Sequence, residues 1–235
     1  MDHVLLVARR GCLLGEVRVN EAPAAGLPLE QGPEAGEGSV VEKVIAFVDG
    51  ENLTLRYQEM VKAGCVPRDK VLHIRDSFVW IDTITLRSEM DLRRVHYFTS
   101  VTGDTDLVDS VTAEIAGTSF FCRAEGSHDS GLLIPNVHKK QNKTRKTKVV
   151  DVDITIAVMR SLATPIDAIW LMSGDGDYAR LVQEITRTTK RVYLAAFSSG
   201  LSKELKYGVD GFVDLDELFF ASKADIPSSL EPEYA

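Results

Sequence analysis

Two turns carry the residues best suited to chemistry. The first closes the segment Val44-Ile45-Ala46-Phe47-Val48-Asp49-Gly50-Glu51-Asn52, and the second closes Ala168-Ile169-Trp170-Leu171-Met172-Ser173-Gly174-Asp175-Gly176-Asp177. Each reads as a short buried strand that breaks at glycine and launches a helix. In an open parallel sheet the carboxyl ends of strands lie along one edge, where ligands bind. Asp49, Asp175 and Asp177 would therefore converge. Like charges brought together are costly unless a cation offsets them. A divalent ion, Mg2+ or Mn2+, is the simplest such cation, and carboxylates with a metal point to phosphodiester chemistry.

Each acid also has a plainer use. Asp49 could cap the helix that follows, with Asn52 at that helix's start or holding Asp49 or a metal-bound water. Ser173, Asp175 and Asp177 cannot all cap one helix, so this turn fits ligation better than capping alone. Gly174 and Gly176 permit close backbone approach. Asp151 and Asp153 open the preceding helix, where the helix dipole alone would favour acids. They lie about 200° apart around the helix axis. The apolar stripe Val150, Ile154, Val158 lies nearer Asp151, which is favoured as the inward acid, with Asp153 second. Lys148 could hold that acid or contact phosphate. A third pair, Asp104 and Asp106, reads better as an ordinary helix start.

The segment His138-Lys139-Lys140-Gln141-Asn142-Lys143-Thr144-Arg145-Lys146-Thr147-Lys148 holds six Lys or Arg and no acid, in a chain of net charge −8. Lys139, Lys140, Lys143, Arg145, Lys146 and Lys148 are thus candidate phosphate contacts beside an acidic centre, with Ser173 a further substrate contact. The alternative is a solvated loop. It contains no aromatic residue for base stacking. The net acidity argues against a protein that coats nucleic acid non-specifically.

Elements that must position these residues alternate along the chain. Strands are expected near 43–48, 94–99, 119–123, 168–172, 191–196 and 212–215. Helices are expected from about Asn52, over 69–80, over 104–116 capped by Asp104, from Val149, after Asp177, over 201–207 and at 216–219. The stretch 138–148 shows neither periodicity. Such alternation implies βα units and a three-layer αβα fold with a mostly parallel central sheet. Residues 40–220 would form this domain. Residues 1–39 would be a tail or small hairpin followed by a linker rich in Ala, Gly, Pro and Glu, and 221–235 a frayed tail.

Cys12, Cys65 and Cys122 are scattered without metal-ligand spacing, which suggests a reducing compartment. The apolar run Val4 to Ala8 is too short to span a bilayer and has no basic leader before it. A soluble cytoplasmic protein with no membrane partner is expected, and a homodimer stays open.

Three blocks, Val48-Asp49-Gly50-Glu51-Asn52, Lys148-Val149-Val150-Asp151-Val152-Asp153 and Leu171-Met172-Ser173-Gly174-Asp175-Gly176-Asp177-Tyr178, resemble the signature blocks of the NYN domain, a branch of the PIN-like, FLAP-nuclease-like fold. The resemblance runs over about 43–219 and extends to Phe212-Val213-Asp214-Leu215-Asp216-Glu217-Leu218. It implies a metal-dependent ribonuclease acting on RNA, with Asp49, Asn52, Asp151, Asp175 and Asp177 forming the acidic site and Asp49, Asp151, Asp175 and Asp177 supplying metal ligands. Val149 stands where the family usually has Gly. The competing readings are an RNA-binding or regulatory module of the same fold with weak catalysis, and a phosphohydrolase of another doubly wound family. The latter is disfavoured because no second Asp follows two residues after Asp49.

Overall fold

The computed structural model describes residues 41–86, 90–124, 127–140 and 148–222. The expected N-terminal tail or hairpin, the C-terminal tail beyond Ser222, and Lys143, Arg145 and Lys146 lie outside them. The central strand β1 (Lys43–Asp49) is buried from Val44 onward, including its final Asp. A strand flanked and covered on both faces needs such a near-continuous apolar run. Its neighbours are β4 (Asp91–Thr102) and β8 (Ala168–Met172), both parallel to it. Next to β4 lies β7 (Ile134–Lys140), and beyond β8 lie β9 (Arg191–Ala196) and β10 (Gly211–Asp214). The resulting six-stranded sheet has the order β10-β9-β8-β1-β4-β7, and every pairing in it is parallel.

Side chains alternate across this sheet into two apolar layers. Val44, Ala46 and Val48 of β1 enter one, with Leu53 and Tyr57 of α1 (Gly50–Lys62) and Val111 and Ile115 of α3 (Thr105–Gly117). Ile45 and Phe47 enter the other. There they meet Val150, Ile154 and Val158 of α4 (Val149–Ser161), Leu181, Val182 and Ile185 of α5 (Ala179–Arg187), and Leu205 of α6 (Lys203–Tyr207). The expected three-layer α/β arrangement is the one observed, with α7 (Asp216–Phe219) closing the first layer. The chain leaves β1 toward β4 and β7, then returns to β8 on the opposite side of β1. The carboxyl ends of β1 and β8 therefore flank the topological switch point.

Two local expectations are corrected. The helix expected over 69–80 is instead the antiparallel pair β2 (Leu72–Ile74) and β3 (Phe78–Trp80), ahead of a single helical turn, α2 (Thr83–Leu86). Lys70 and Asp76 adopt positive φ values of 72° and 61°, which a right-handed helix excludes. The Tyr97 hydroxyl engages both N–H and C=O of Val79, so a distant side chain stabilises the extended form. The stretch 138–148 begins as strand: His138, Lys139 and Lys140 pair with Ser100, Val101 and Thr102. Backbone pairing on an edge strand does not require an apolar alternation there. An antiparallel hairpin, β5 (Ser119–Ala124) and β6 (Ser127–Leu132), leads into β7. No helix among the described residues is long and apolar enough to cross a membrane.

The sharp turn from β1 into α1 depends on Gly50. A Cβ there would meet the Tyr97 ring at 2.3 Å and the Phe98 carbonyl oxygen at 2.8 Å. Gly50→Ala should therefore destabilise the fold by at least about 1–3 kcal/mol in urea titration. Gly117→Ala meets nothing within 4 Å at the end of α3 and should be neutral or stabilising by up to about 1 kcal/mol.

Candidate active site

Asp49 ends β1 with only 2% of its surface exposed. Its two carboxyl oxygens have different duties. Oδ1 accepts from the backbone N–H of Asn52 at 3.0 Å and so caps α1, while Oδ2 accepts from the Ser173 hydroxyl at 2.9 Å. The capping reading of Asp49 is thus met, and the same side chain ties the start of α1 to the end of β8. Burial pushes its pKa up to about 7; these two hydrogen bonds oppose the rise, and the charges of Asp151 and Glu51 add to it.

The turn after β8 is built onto this anchor. Asn52 Oδ1 accepts from Gly174 N–H at 3.0 Å, and Ser173 Oγ accepts from Asp175 N–H at 3.1 Å. Asp175 Oδ1 accepts from Asp177 N–H at 3.0 Å and opens a short 3-10 turn, Gly176–Tyr178. Ser202 N–H donates to the Gly174 carbonyl at 3.0 Å, fastening the loop before α6 over the same turn. That loop passes Gly200 at φ +72°, where an added Cβ would strike the Arg56 guanidinium at 2.2 Å.

Asp151 reaches the cluster from the first turn of α4. The Tyr178 hydroxyl donates to its Oδ1 at 3.4 Å. Burial, followed by the charge of Asp175, raises the Asp151 pKa. Burial and the charges of Asp49, Asp151 and Asp175 hold Tyr178 far above the usual phenol range, so its hydroxyl stays a proton donor. Lys148 reaches Asp177 Oδ2 at 2.8 Å on the exposed rim, and this pairing raises the lysine pKa. The structure therefore brings Asp49, Asn52, Asp151, Ser173, Asp175, Asp177 and Lys148 into one neighbourhood. Asp153 turns the other way, with its Oδ2 2.9 Å from His138 Nε2 at ion-pair distance without hydrogen-bonding alignment.

The other basic candidates stand to one side. Lys140 lies 3.5 Å from Glu51, which also accepts from the Ser100 hydroxyl, and Lys139 lies 3.4 Å from the Thr105 hydroxyl. Asp104 accepts from Leu107 N–H at 2.8 Å as the cap of α3, as its sequence context predicts. Sequence reasoning assigned no site role to Tyr178, Glu51 or Arg56. Tyr178 reads by residue type as part of the apolar face of the following helix, and nothing local signals that its hydroxyl faces Asp49 and Asp151 from two other segments. Glu51 and Arg56 carry a weak signal, their nearness in sequence to Asn52.

Among the described residues no three His, Cys, Asp or Glu side chains form a group set to hold an ion. The donor chemistry nonetheless suits Mg2+ or Mn2+: an all-oxygen set, one member deeply buried, with burial and neighbouring acids raising the pKa of both Asp49 and Asp151, a rise that a bound cation would oppose. Asp49, Asp151, Asp175 and Asp177 are the residues that would hold such an ion.

Comparison with known proteins bears on the family and the fold. The family model for the NYN domain matches residues 43–216. The chain is 25% identical over 97 residues to the low amplitude and bright protein LabA of Synechococcus elongatus, a match covering 40% of this chain and 52% of LabA. The match thus spans about half the length of that relative. In fold, the chain is similar to a crystal structure of a protein of unknown function, VPA0982 from Vibrio parahaemolyticus. The TM-score is 0.50 at 18% identity, over 79% of this chain and 99% of the other. With the family model spanning most of the sequence and all three acidic blocks, the chain belongs to the NYN domain family.

Proposed function

We propose that this protein is a Mg2+- or Mn2+-dependent ribonuclease that hydrolyses RNA phosphodiester bonds internally. The observation that carries the reading is the meeting of Asp49, Asp151 and Asp175, with Asp177 at the rim, around the Tyr178 hydroxyl at the β1/β8 switch point. A PIN-like, nuclease-type fold supports it. The scattered cysteines, with Cys65 and Cys122 both free, support a reducing, cytoplasmic setting.

A divalent ion bound among these carboxylates would supply an activated water and neutralise charge developing on the phosphate. The chain's own residues do the rest. Ser173 and the Asn52 N–H fix Asp49 in one orientation, so its carboxylate cannot swing away when charged. Asn52 Oδ1 clamps the 174 turn, which sets Asp175 relative to Asp49. Tyr178 steadies Asp151 by donating to it without competing for positive charge. Lys148 balances Asp177 from the solvent side, where it can exchange that partner for a substrate phosphate. Lys139 and Lys140 extend positive charge along the end of β7, where the backbone of an RNA strand would run.

Labelled RNA incubated with Mn2+, with Mg2+ and with chelator tests the reading. Metal-dependent cleavage should appear with the wild type, and Asp175→Asn should lower its rate at least about a hundredfold without lowering the melting temperature. A folded wild type that binds RNA but cuts none under any metal would make it a binding module instead. A second prediction concerns Asp49 alone. Its folded pKa of about 7 exceeds the ordinary 3.8, so its contribution to stability is full below pH 4 and is lost as pH rises through 7. In chelator, Asp49→Asn should melt about 3 °C or more above the wild type at pH 8 and show little advantage at pH 4. Mn2+ should raise the wild-type melting temperature at pH 8 and leave that of the variant nearly unchanged.

A further inference from the structure

Beside the carboxylates lies a groove of about 600 Å³ whose lining is not acidic throughout. It runs between α4, the 176–180 turn and α6, and shares Asp151 and Asp177 with the cluster. One wall is aliphatic: Val152 and Ile156 are 52% and 41% exposed, one helical turn apart. They lie on the side of α4 opposite Val150, Ile154 and Val158, which fill the core. Arg180 stands in the same groove, exposed and without an acidic partner among the described residues, and Glu204 adds an acceptor. Lys148 is already engaged by Asp177, so Arg180 is the cation with its charge uncommitted.

Resting on the nuclease reading, we infer that this groove is a nucleotide subsite that seats one unpaired base of the RNA against Val152 and Ile156, with Arg180 on the adjoining phosphate. A groove meant only for backbone would have no use for an aliphatic wall. A flat base face is the apolar partner that RNA offers at this scale. In a duplex both faces of each base are covered by stacked neighbours, and an A-form helix cannot turn one toward the wall without opening. The volume accommodates a nucleotide. The seated nucleotide adjoins the phosphate to be cut, because the groove and the acid cluster share Asp151 and Asp177. The substrate is therefore RNA that is single-stranded at the position flanking the cut.

The test uses the full chain, a short labelled single-stranded RNA and a blunt duplex of the same sequence. Binding is followed by anisotropy in chelator and cleavage in Mn2+. V152N/I156N should weaken binding of the single strand about tenfold. It should leave duplex binding, the melting temperature and the salt slope unchanged, and raise KM while largely preserving kcat. Arg180→Gln should weaken binding about fivefold and reduce the salt slope by about one. A wild type that cuts RNA while V152N/I156N binds and cuts like it would overturn the subsite and leave the nuclease reading standing. Equal wild-type affinity for single strand and duplex would do the same. So would a wild-type dimer that V152N/I156N converts to monomer without changing RNA affinity, which would assign the aliphatic stripe to self-association. No binding and no cleavage of any RNA by the wild type would remove both readings together.

Discussion

The site is organised around a carboxylate held out of water at the end of the central strand. Asp49 is buried as deeply as the apolar residues before it, and ionising it there is costly. Its hydrogen bonds to Asn52 N–H and the Ser173 hydroxyl reduce that cost and join three elements: β1, the start of α1 and the exit of β8. The next link is also fixed by a side chain, since Asn52 reaches back to Gly174. Two strand ends far apart in sequence are thus locked in register by polar contacts that make sense only at a common edge. These hydrogen bonds offset the burial only in part, and the Asp49 pKa stays raised, at about 7.

Much of the fold was legible because parallel strands covered on both faces leave a simple signature. The runs Val44 to Val48 and Ala168 to Met172 are apolar at every position, and both are central strands. The stripe Val150, Ile154, Val158 marked α4 correctly because a helix on a sheet buries one face. The 69–80 segment misled because its outcome is decided elsewhere in the chain. Left-handed Lys70 and Asp76 are local, but the hydrogen bonds that hold Val79 extended come from Tyr97 on β4. The start of the basic segment misled for a related reason. His138 to Lys140 join the sheet through backbone pairing with β4, and their side chains carry no trace of it.

For the candidate site, residue positions were easier to read than residue duties. Helix geometry separates Asp151 from Asp153, with one against Tyr178 and the other against His138. The basic run was read as one phosphate-binding unit, yet its described members are divided: Lys148 serves Asp177, while Lys140 serves Glu51 near the other side of Asp49. Such a division follows from the end of β7 lying on one side of the cluster and the start of α4 on the other. Tyr178 is the clearest case of a duty hidden by residue type. Its ring packs in the core layer with Ile154 and Leu181, and only its hydroxyl meets the acids.

Helix α4 carries this division of labour furthest. One face is packed on Ile45, Phe47 and Ile169, which gives the helix a rigid footing on the central strands. That footing fixes Asp151, since a side chain on the first turn can be no better placed than the helix beneath it. The opposite face leaves Val149, Val152, Ile156 and Met159 exposed, a stripe that stability of the isolated domain does not call for. Apolar groups left in water gain nothing until something covers them. Because Val152 and Ile156 share a groove with Asp151, whatever covers them is held at a fixed distance from the carboxylates by the same helix. Core packing, carboxylate placement and the neighbouring surface are thereby set by a single rigid element, so a change in how α4 seats on the sheet would displace all three together.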